Sequence, residues 1–315
     1  MGSDEARRVC VTGGAGFIGS HLVRALLERG DAVTVLDDLS VGRRKRVPEG
    51  ARLLVGDIRD PEAASEAVRD CQAVAHLAAR VAVRSSFDYA VEDSSINVVG
   101  TASMLRAAAD AGCVRRFVGT SSMAVYADAP DVRPLSEDHP TEAISPYGVS
   151  KLAAERLAHL MCPGLGMQSV ILRLFNTYGP GQAMSPYVGL VTIFVTRFQN
   201  GGQPVIYGDG NQCRDFVHVA DVADAFVAAL DSEVTGRTFN IGTGVAQSVN
   251  QVYENVRLAL GSSTTPRYEP AVTGELRNSI ADISAARDAL GYEPRYRFET
   301  EIAQVVRDIR EAIEP

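Results

Sequence analysis

Cysteine is scarce in this chain, and no two cysteines are arranged as a pair. Cys10, Cys71, Cys113, Cys162 and Cys213 are odd in number, widely spaced and without a C-x-x-C motif. They read as free thiols of a reducing compartment rather than as a disulfide framework. The five histidines show no ligand spacing, so no metal site is expected. No apolar run approaches the ~18 residues of a membrane span. Met1-Gly2-Ser3-Asp4-Glu5 is too polar and acidic for a secretory signal, so a cytoplasmic protein is expected. Positive charge is in deficit: a net charge of −8 and a pI near 5.2 argue against nucleic acid or an anionic membrane as partner. The one basic run, Arg43-Arg44-Lys45-Arg46, reads as a solvated loop. Internal repeats and low-complexity tracts are missing as well.

What is present is an ordinary globular composition, 46% hydrophobic and 22% charged over 315 residues, enough for a large core and two lobes. In the first half, β-type runs (RRVCVTG, AVTVLDD, ARLLVGD, QAVAHLA, RRFVGTSS, QSVILRLFN) alternate with helical patterns such as FIGSHLVRALLERG and INVVGTASMLRAAADAG. Alternation of this kind predicts right-handed βαβ units, hence an α/β fold with a Rossmann-type doubly wound parallel sheet. From about Gly179 the order loosens into Gly/Pro/Asn-rich loops. The expected division is a dinucleotide-binding domain over 1–175 and a smaller mixed α/β substrate lobe over 176–315, with a strand near 237–241 returning to the first.

The stretch TGGAGFIG sets Gly13, Gly16 and Gly19 between the first strand and the first helix. A glycine-rich turn there lets backbone approach a pyrophosphate, whose charge meets free N–H groups and the positive end of the helix dipole. Asp37 closes the second strand at the distance where a carboxylate binds the adenosine ribose hydroxyls and repels a 2′-phosphate. That favours NAD over NADP, although Arg43 and Arg44 lie nearby. Asp57 and Ile58, after the third strand, are a further adenosine contact.

A second constellation adds chemistry. Ser145-Pro146-Tyr147-Gly148-Val149-Ser150-Lys151 carries a helix start signal, so Tyr147 and Lys151 share one helical face. A phenol with an ordinary pKa of ~10 becomes a usable acid/base beside an ammonium and an oxidised nicotinamide. Thr120-Ser121-Ser122 ends a strand at the carboxyl edge, where doubly wound sheets bind ligands. Ser122 there is placed to bond the reacting hydroxyl.

Those motifs, together with HLAA (His76 to Ala79), LRLFNTYGPGQ (Leu172 to Gln182), YGDGNQCRDFVHVADV (Tyr207 to Val222), FNIGTG (Phe239 to Gly244), GELRNSIADI and LGYEP, resemble the extended short-chain dehydrogenases, specifically the NAD-dependent nucleotide-sugar epimerases. The resemblance covers nearly the whole chain. It implies Tyr147 as catalytic base, Lys151 as its activator and nicotinamide-ribose ligand, and Ser122 as partner of the substrate hydroxyl. It further implies cofactor contacts at Phe17, Ile18, Leu77, Ala78 and Ala79, and substrate contacts at Thr120 and Ser121. Asn176 would lie near the sugar or its phosphates and Arg214 on the diphosphate. Many relatives carry an arginine where this chain has Val272-Thr273; Arg277 is the substitute candidate. His218 reads as packing.

Related 4,6-dehydratases have an Asp-Glu pair after the threonine of the Thr-Ser-Ser set, where this chain has Ser121-Ser122-Met123, so epimerisation at C4 is favoured over elimination. The expected substrate is a UDP-sugar, with UDP-glucose/UDP-galactose ranked ahead of UDP-glucuronate/UDP-galacturonate. Ser279 aligns with a position where a tyrosine excludes N-acetylated sugars in some epimerases, so serine would leave room. A homodimer through the helix around Ile96 to Ala109 and the Tyr147 helix is expected. A catalytically silent NAD-binding sensor on the same fold is the reading from another class.

Overall fold

The computed structural model describes residues 6–81, 83, 85–182, 189–271 and 276–313. Met1 to Glu5, read above for a targeting signal, and the Val272-Thr273 departure lie outside the described residues. The first apolar runs form β1 (Arg8–Thr12), β2 (Ala32–Asp37), β3 (Arg52–Val55) and β4 (Ala73–His76), linked through α1 (Phe17–Glu28) and α2 (Pro61–Val68). A continuous helix follows: α3 (Ala90–Ser94), a π-helical stretch over Ser95–Val99, and α4 (Gly100–Ala111). It starts earlier than its apolar periodicity suggests and ends at Gly112, a left-handed residue with φ 68° that only glycine adopts cheaply.

Beyond it run β5 (Arg116–Ser122), β6 (Pro134–Leu135), α5 (Pro146–Gly164), β7 (Gln168–Leu174) and β8 (Asn176–Tyr178). The start of α5 is the one its sequence signals: the Ser145 side chain accepts from Gly148 N at 3.1 Å, with Pro146 in the first turn. The rest comprises α6 (Leu190–Gln199), β9 (Val205–Tyr207), β10 (Cys213–His218), α7 (Val219–Asp231), β11 (Arg237–Ile241), β12 (Ala246–Ser248), α8 (Val249–Ala259), β13 (Arg267–Glu269), β14 (Ile280–Ala281), α9 (Ser284–Leu290) and α10 (Phe298–Ile313).

Seven strands form one sheet in the order β11-β7-β5-β4-β1-β2-β3, every pair parallel. The order reverses between β1 and β4, which opens a crevice at the carboxyl edge. β11, late in sequence, adds to this sheet beside β7. Shorter sheets, β12-β10-β8, β13-β9 and β14-β6, build the remainder.

Because central strands are covered on both faces, their sequences are continuous apolar runs rather than alternating ones. On one face Val11, Leu22, Leu26, Val35 and Phe226 pack α1 and α7 against the sheet; on the other Val74, Leu105, Phe117 and Ile171 pack α2, α4 and α5. A third core, with Phe194, Val195, Tyr253, Val256 and Val305, joins α6, α8 and α10. Each such buried side chain contributes about 1.5–3 kcal/mol. All five cysteines are free thiols. Burial pushes Cys71 up to about 12 and Cys162 to about 11, so these thiols stay protonated and pack as small hydrophobes.

Candidate active site

The crevice is a cavity of about 830 Å³ running from the glycine turn to Arg214. Gly13 has φ +71°, and a Cβ there would stand 2.8 Å from Ala78 N. A Cβ on Gly19 would stand 2.1 Å from Gly13 O, so both glycines are required by the turn's own packing. No side chain caps α1 at Gly16, leaving the N–H groups of its first turn and the helix dipole directed at the cavity. This is a cradle suited to a pyrophosphate. Asp37, at the end of β2, is buried and lines the cavity. Its carboxylate accepts from Ala15 N and Leu39 N, both at 2.9 Å; burial raises its pKa, and those two backbone bonds oppose the rise. Asp57 lines the same end and is held below its ordinary value first by the hydrogen bond from Arg59.

The basic run Arg43 to Arg46 is not simply solvated. Arg43 and Arg46 line the cavity, and Arg46 Nη2 donates to Gly181 O at 2.7 Å. Arg46 thereby joins this end of the cavity to the loop after β8, while Arg44 and Lys45 are exposed, as a solvated loop requires.

A relay that the motifs did not reveal fixes the floor beneath the glycine turn. Thr12 Oγ1 accepts from Leu77 N and Ala78 N, each at 3.1 Å, and lies 2.8 Å from His76 Nδ1. With its acceptor capacity used, Thr12 donates its proton to Nδ1, so His76 carries its hydrogen on Nε2 and gives it to Thr101 Oγ1 at 3.0 Å. Thr101 in turn donates to Asn97 O at 2.6 Å. Burial first, then the nearby Lys151 charge, lowers His76 to about 3, so the ring is neutral. Register makes this possible: Thr12 lies opposite His76, and His76 opposite Gly119.

One residue further along β5, Thr120 Oγ1 donates to His76 O at 3.1 Å and accepts from Lys151 Nζ at 3.4 Å. Tyr147 and Lys151 are buried on one face of α5, and both line the cavity with Ser122. Burial pushes Tyr147 up to about 12, with Ser122 acting in the opposite direction, and pulls Lys151 down to about 8.

Every cofactor residue expected above lines the one cavity, as do Thr120, Ser121, Ser122, Asn176 and Arg214. Asn176 Nδ2 is a buried donor without a partner. Two of the expected residues do not line it. Arg277 is exposed and ion-paired to Asp209 through both terminal nitrogens at 3.0 Å. Ser279 is fully buried, because it bridges to Arg214 and its backbone bonds Cys213 and Asp215. The Arg277 carbonyl nevertheless braces Arg214 Nη1 at 3.0 Å. Ser121 is committed elsewhere, donating to Glu155 at 2.7 Å. His218 is packing, as expected: it caps α7 and stacks on Tyr296 with ring centroids 4.4 Å apart.

A parallel doubly wound sheet, a glycine cradle with a buried carboxylate beside it, and a Tyr-Lys pair at its carboxyl edge are the features of a nicotinamide-dinucleotide enzyme. Residues 9–242 match the model of the NAD dependent epimerase/dehydratase family, and the chain belongs to that family. It is similar to a UDP-glucose 4-epimerase of Mycolicibacterium smegmatis, 36% identical over 96% of this chain and 98% of that one. Among solved structures it resembles the Thermotoga maritima UDP-glucose 4-epimerase with UDP-glucose, at 34% identity and TM-score 0.93 over 98% of this chain and 100% of that one. It also resembles a UDP-N-acetylglucosamine 4-epimerase of Methanobrevibacter ruminantium in complex with UDP-N-acetylmuramic acid, at 30% identity and TM-score 0.91 over 98% and 100%. Among the described residues no helix is long and apolar enough to cross a membrane.

Proposed function

We propose that this protein is a UDP-hexose 4-epimerase interconverting UDP-glucose and UDP-galactose through a transient 4-keto sugar. The observation that carries this reading is where acids and bases stand in the cavity. Among the described residues, the carboxylates lining it, Asp37, Asp38 and Asp57, are all at the adenosine end, while the reaction end has Tyr147, Lys151 and Ser122. Dehydration requires a second acid/base pair beside the sugar, and none is there; inversion at C4 requires one proton-transferring group.

Bound NAD supplies a hydride acceptor and later a hydride donor, so no net oxidation results. Tyr147 takes the proton of the 4-hydroxyl, directly or through Ser122, and returns it to the same oxygen after the sugar has turned over. Burial keeps Tyr147 a phenol at neutral pH; the positive charge that an oxidised nicotinamide would bring to the cavity favours its phenolate. Lys151 donates to Thr120 and would hold the nicotinamide ribose of a bound NAD. Arg214, braced by carbonyl oxygens at 3.0 Å, holds the diphosphate while the sugar rotates about it. Asn176 Nδ2 is the unpaired donor facing the same region.

A neutral hexose is favoured over a uronate because the Thr-Ser-Ser hydroxyls are engaged: Thr120 with His76 and Lys151, Ser121 with Glu155, Ser122 with Ala124 N. Residues 1–175 with β11 form the cofactor half and 176–315 the nucleotide-sugar half. Val91, Val99, Val149 and Leu160 are 80%, 56%, 56% and 77% exposed on α3, the π-helical stretch and α5; a homodimer covers them, and a cytoplasmic setting suits the free thiols. Turnover of UDP-glucose, UDP-N-acetylglucosamine and UDP-glucuronate is the test, read with Tyr147→Phe. That variant should lose at least ~10²-fold in kcat while binding NAD. Near-normal turnover, or a glucuronate preference above ~10-fold, rejects the reading, and a monomer by light scattering at micromolar concentration rejects the dimer.

A further inference from the structure

Next to the reaction centre stands a buried charge pair that the mechanism above leaves unused. Tyr147, Lys151 and Glu155 follow one another at four-residue spacing on one face of α5, all buried. The Glu155 carboxylate accepts from Ser121 Oγ at 2.7 Å, from Arg173 Nη2 at 2.7 Å and from Arg173 Nε at 3.1 and 3.2 Å. On its far side Arg173 donates to Tyr126 Oη at 2.9 Å and to Glu137 O at 3.2 Å, and Tyr126 donates to Asn240 Oδ1 at 2.6 Å. The network therefore ties α5 and β5 to β7 and β11.

Stability does not explain it. A desolvated ion pair commonly does no better than hydrophobic residues of equal volume, whereas removing one partner is costly. Its placement does suggest a use. Lys151 has only the weak 3.4 Å contact to Thr120 in the described structure, and burial works against its charge. The groups around it are Tyr147 and Glu155 from α5 and neutral His76 from β4, with Arg173 of β7 behind Glu155. Asp93 from α3 faces Tyr147 and is paired with Arg80 at 2.8 Å. Glu155 is the one anion in this set without a competing role at the mouth of the site, and it opposes the loss of the lysine's charge.

We propose that Glu155 is a positioning residue for the reaction: clamped between Ser121 and Arg173, its carboxylate is the counter-charge that keeps Lys151 an ammonium and locks the strand of Thr120 to Ser122 onto the helix of Tyr147. This rests on the reading of Tyr147 and Lys151 as the reaction pair. Arg173 acts through Glu155, neutralising the excess charge that would otherwise be buried.

The sequence offers a direct test, because its only lysines are Lys45 and Lys151. Lysine labelled with ¹³C at the ε position gives two titrating signals, with exposed Lys45 as internal reference. In Glu155→Gln the Lys151 midpoint should fall by on the order of one pH unit, with Lys45 unmoved. The double variant Glu155→Gln/Arg173→Gln, which also removes the repelling guanidinium, should lie between that variant and the wild type. The alkaline limb of kcat should move in the same order. Should the single variant fail to fold, the double variant against wild type gives the same reading. A Lys151 midpoint unchanged in either folded variant overturns the proposal. If instead Tyr147→Phe retains turnover, the functional reading fails, while the lysine titration still judges the charge linkage by itself.

Discussion

Thr12→Val is the sharpest test of how this site is built, because the two side chains are nearly equal in volume and differ by one hydroxyl. Thr12 is fully buried, so no water replaces what is lost. The hydroxyl accepts from Ala78 N and Leu77 N and donates to His76 Nδ1. Leu77 N keeps a second partner in Thr12 O at 3.1 Å, but Ala78 N and Nδ1 are left without one. At about 1–3 kcal/mol for each orphaned buried group, the variant should lose about 2–6 kcal/mol. Thr12→Ser keeps all three bonds and should lose only about 1 kcal/mol for the missing methyl. The consequence reaches function because Ala78 N sits against Gly13, where a Cβ would stand 2.8 Å away. If Ala78 shifts to find a new partner, the cofactor cradle shifts with it. Urea unfolding midpoints of the three proteins, with NAD affinity by calorimetry, decide the matter. A valine variant within 1 kcal/mol of wild type, binding NAD normally, refutes the argument that this relay holds the groove.

Gly16→Val should abolish NAD binding with little effect on the apo fold: its Cβ meets only Gly13 O, at 3.1 Å, while the branched side chain enters the pyrophosphate's path; equilibrium dialysis reads this, and retained affinity contradicts it. Acid should destabilise the protein from about pH 6.5 downward. His76 titrates at about 3 when folded and near 6.5 when unfolded, so the unfolded chain takes up the proton first, costing about 2 kcal/mol by pH 5. Burial also lowers His218, to about 4, in the same direction. His76→Gln should flatten the slope of urea midpoint against pH, and an unchanged slope removes the histidine from the account. Ser279→Tyr, at a fully buried position bridged to Arg214, should lower kcat/KM for UDP-N-acetylglucosamine and UDP-glucose alike, because Arg214 serves the diphosphate that both carry. A selective loss of the acetamido sugar refutes this and returns position 279 to sugar selection.

The parts of this molecule that were legible in the sequence are those whose physics is local. The glycine turn, the Asp37 that ends the next strand, and the Ser145-Pro146 start of α5 each depend on residues within a few positions of one another. Parallel order then follows because a strand, helix, strand unit packs back onto its sheet with one hand. Arg43 and Arg46 were misjudged for the complementary reason: their composition says solvent, and only the loop after β8, more than a hundred residues later, turns Arg46 into a bridge.

Side-chain commitments across the sheet were not legible at all. Nothing near Ser121 announces that its hydroxyl is spent on Glu155, since that requires β5 and α5 in contact; nothing near Thr12 announces His76, which depends on strand register. Ser279 shows how a motif names a neighbourhood without fixing exposure. The motif places it near the sugar site, and pairing of its backbone with Cys213 and Asp215 makes it part of a fully buried wall beside Arg214, outside the residues that line the cavity. The buried Asp215 explains why that wall is rigid. Its carboxylate accepts from Thr243 N, Thr243 Oγ1, Gly244 N and Ala281 N at 2.7–3.1 Å. One desolvated anion thereby joins β10, the turn after β11, and β14. A larger substituent at 279 therefore acts through Arg214 on the diphosphate that every UDP-sugar carries, because the backbone on its other side has no slack to give.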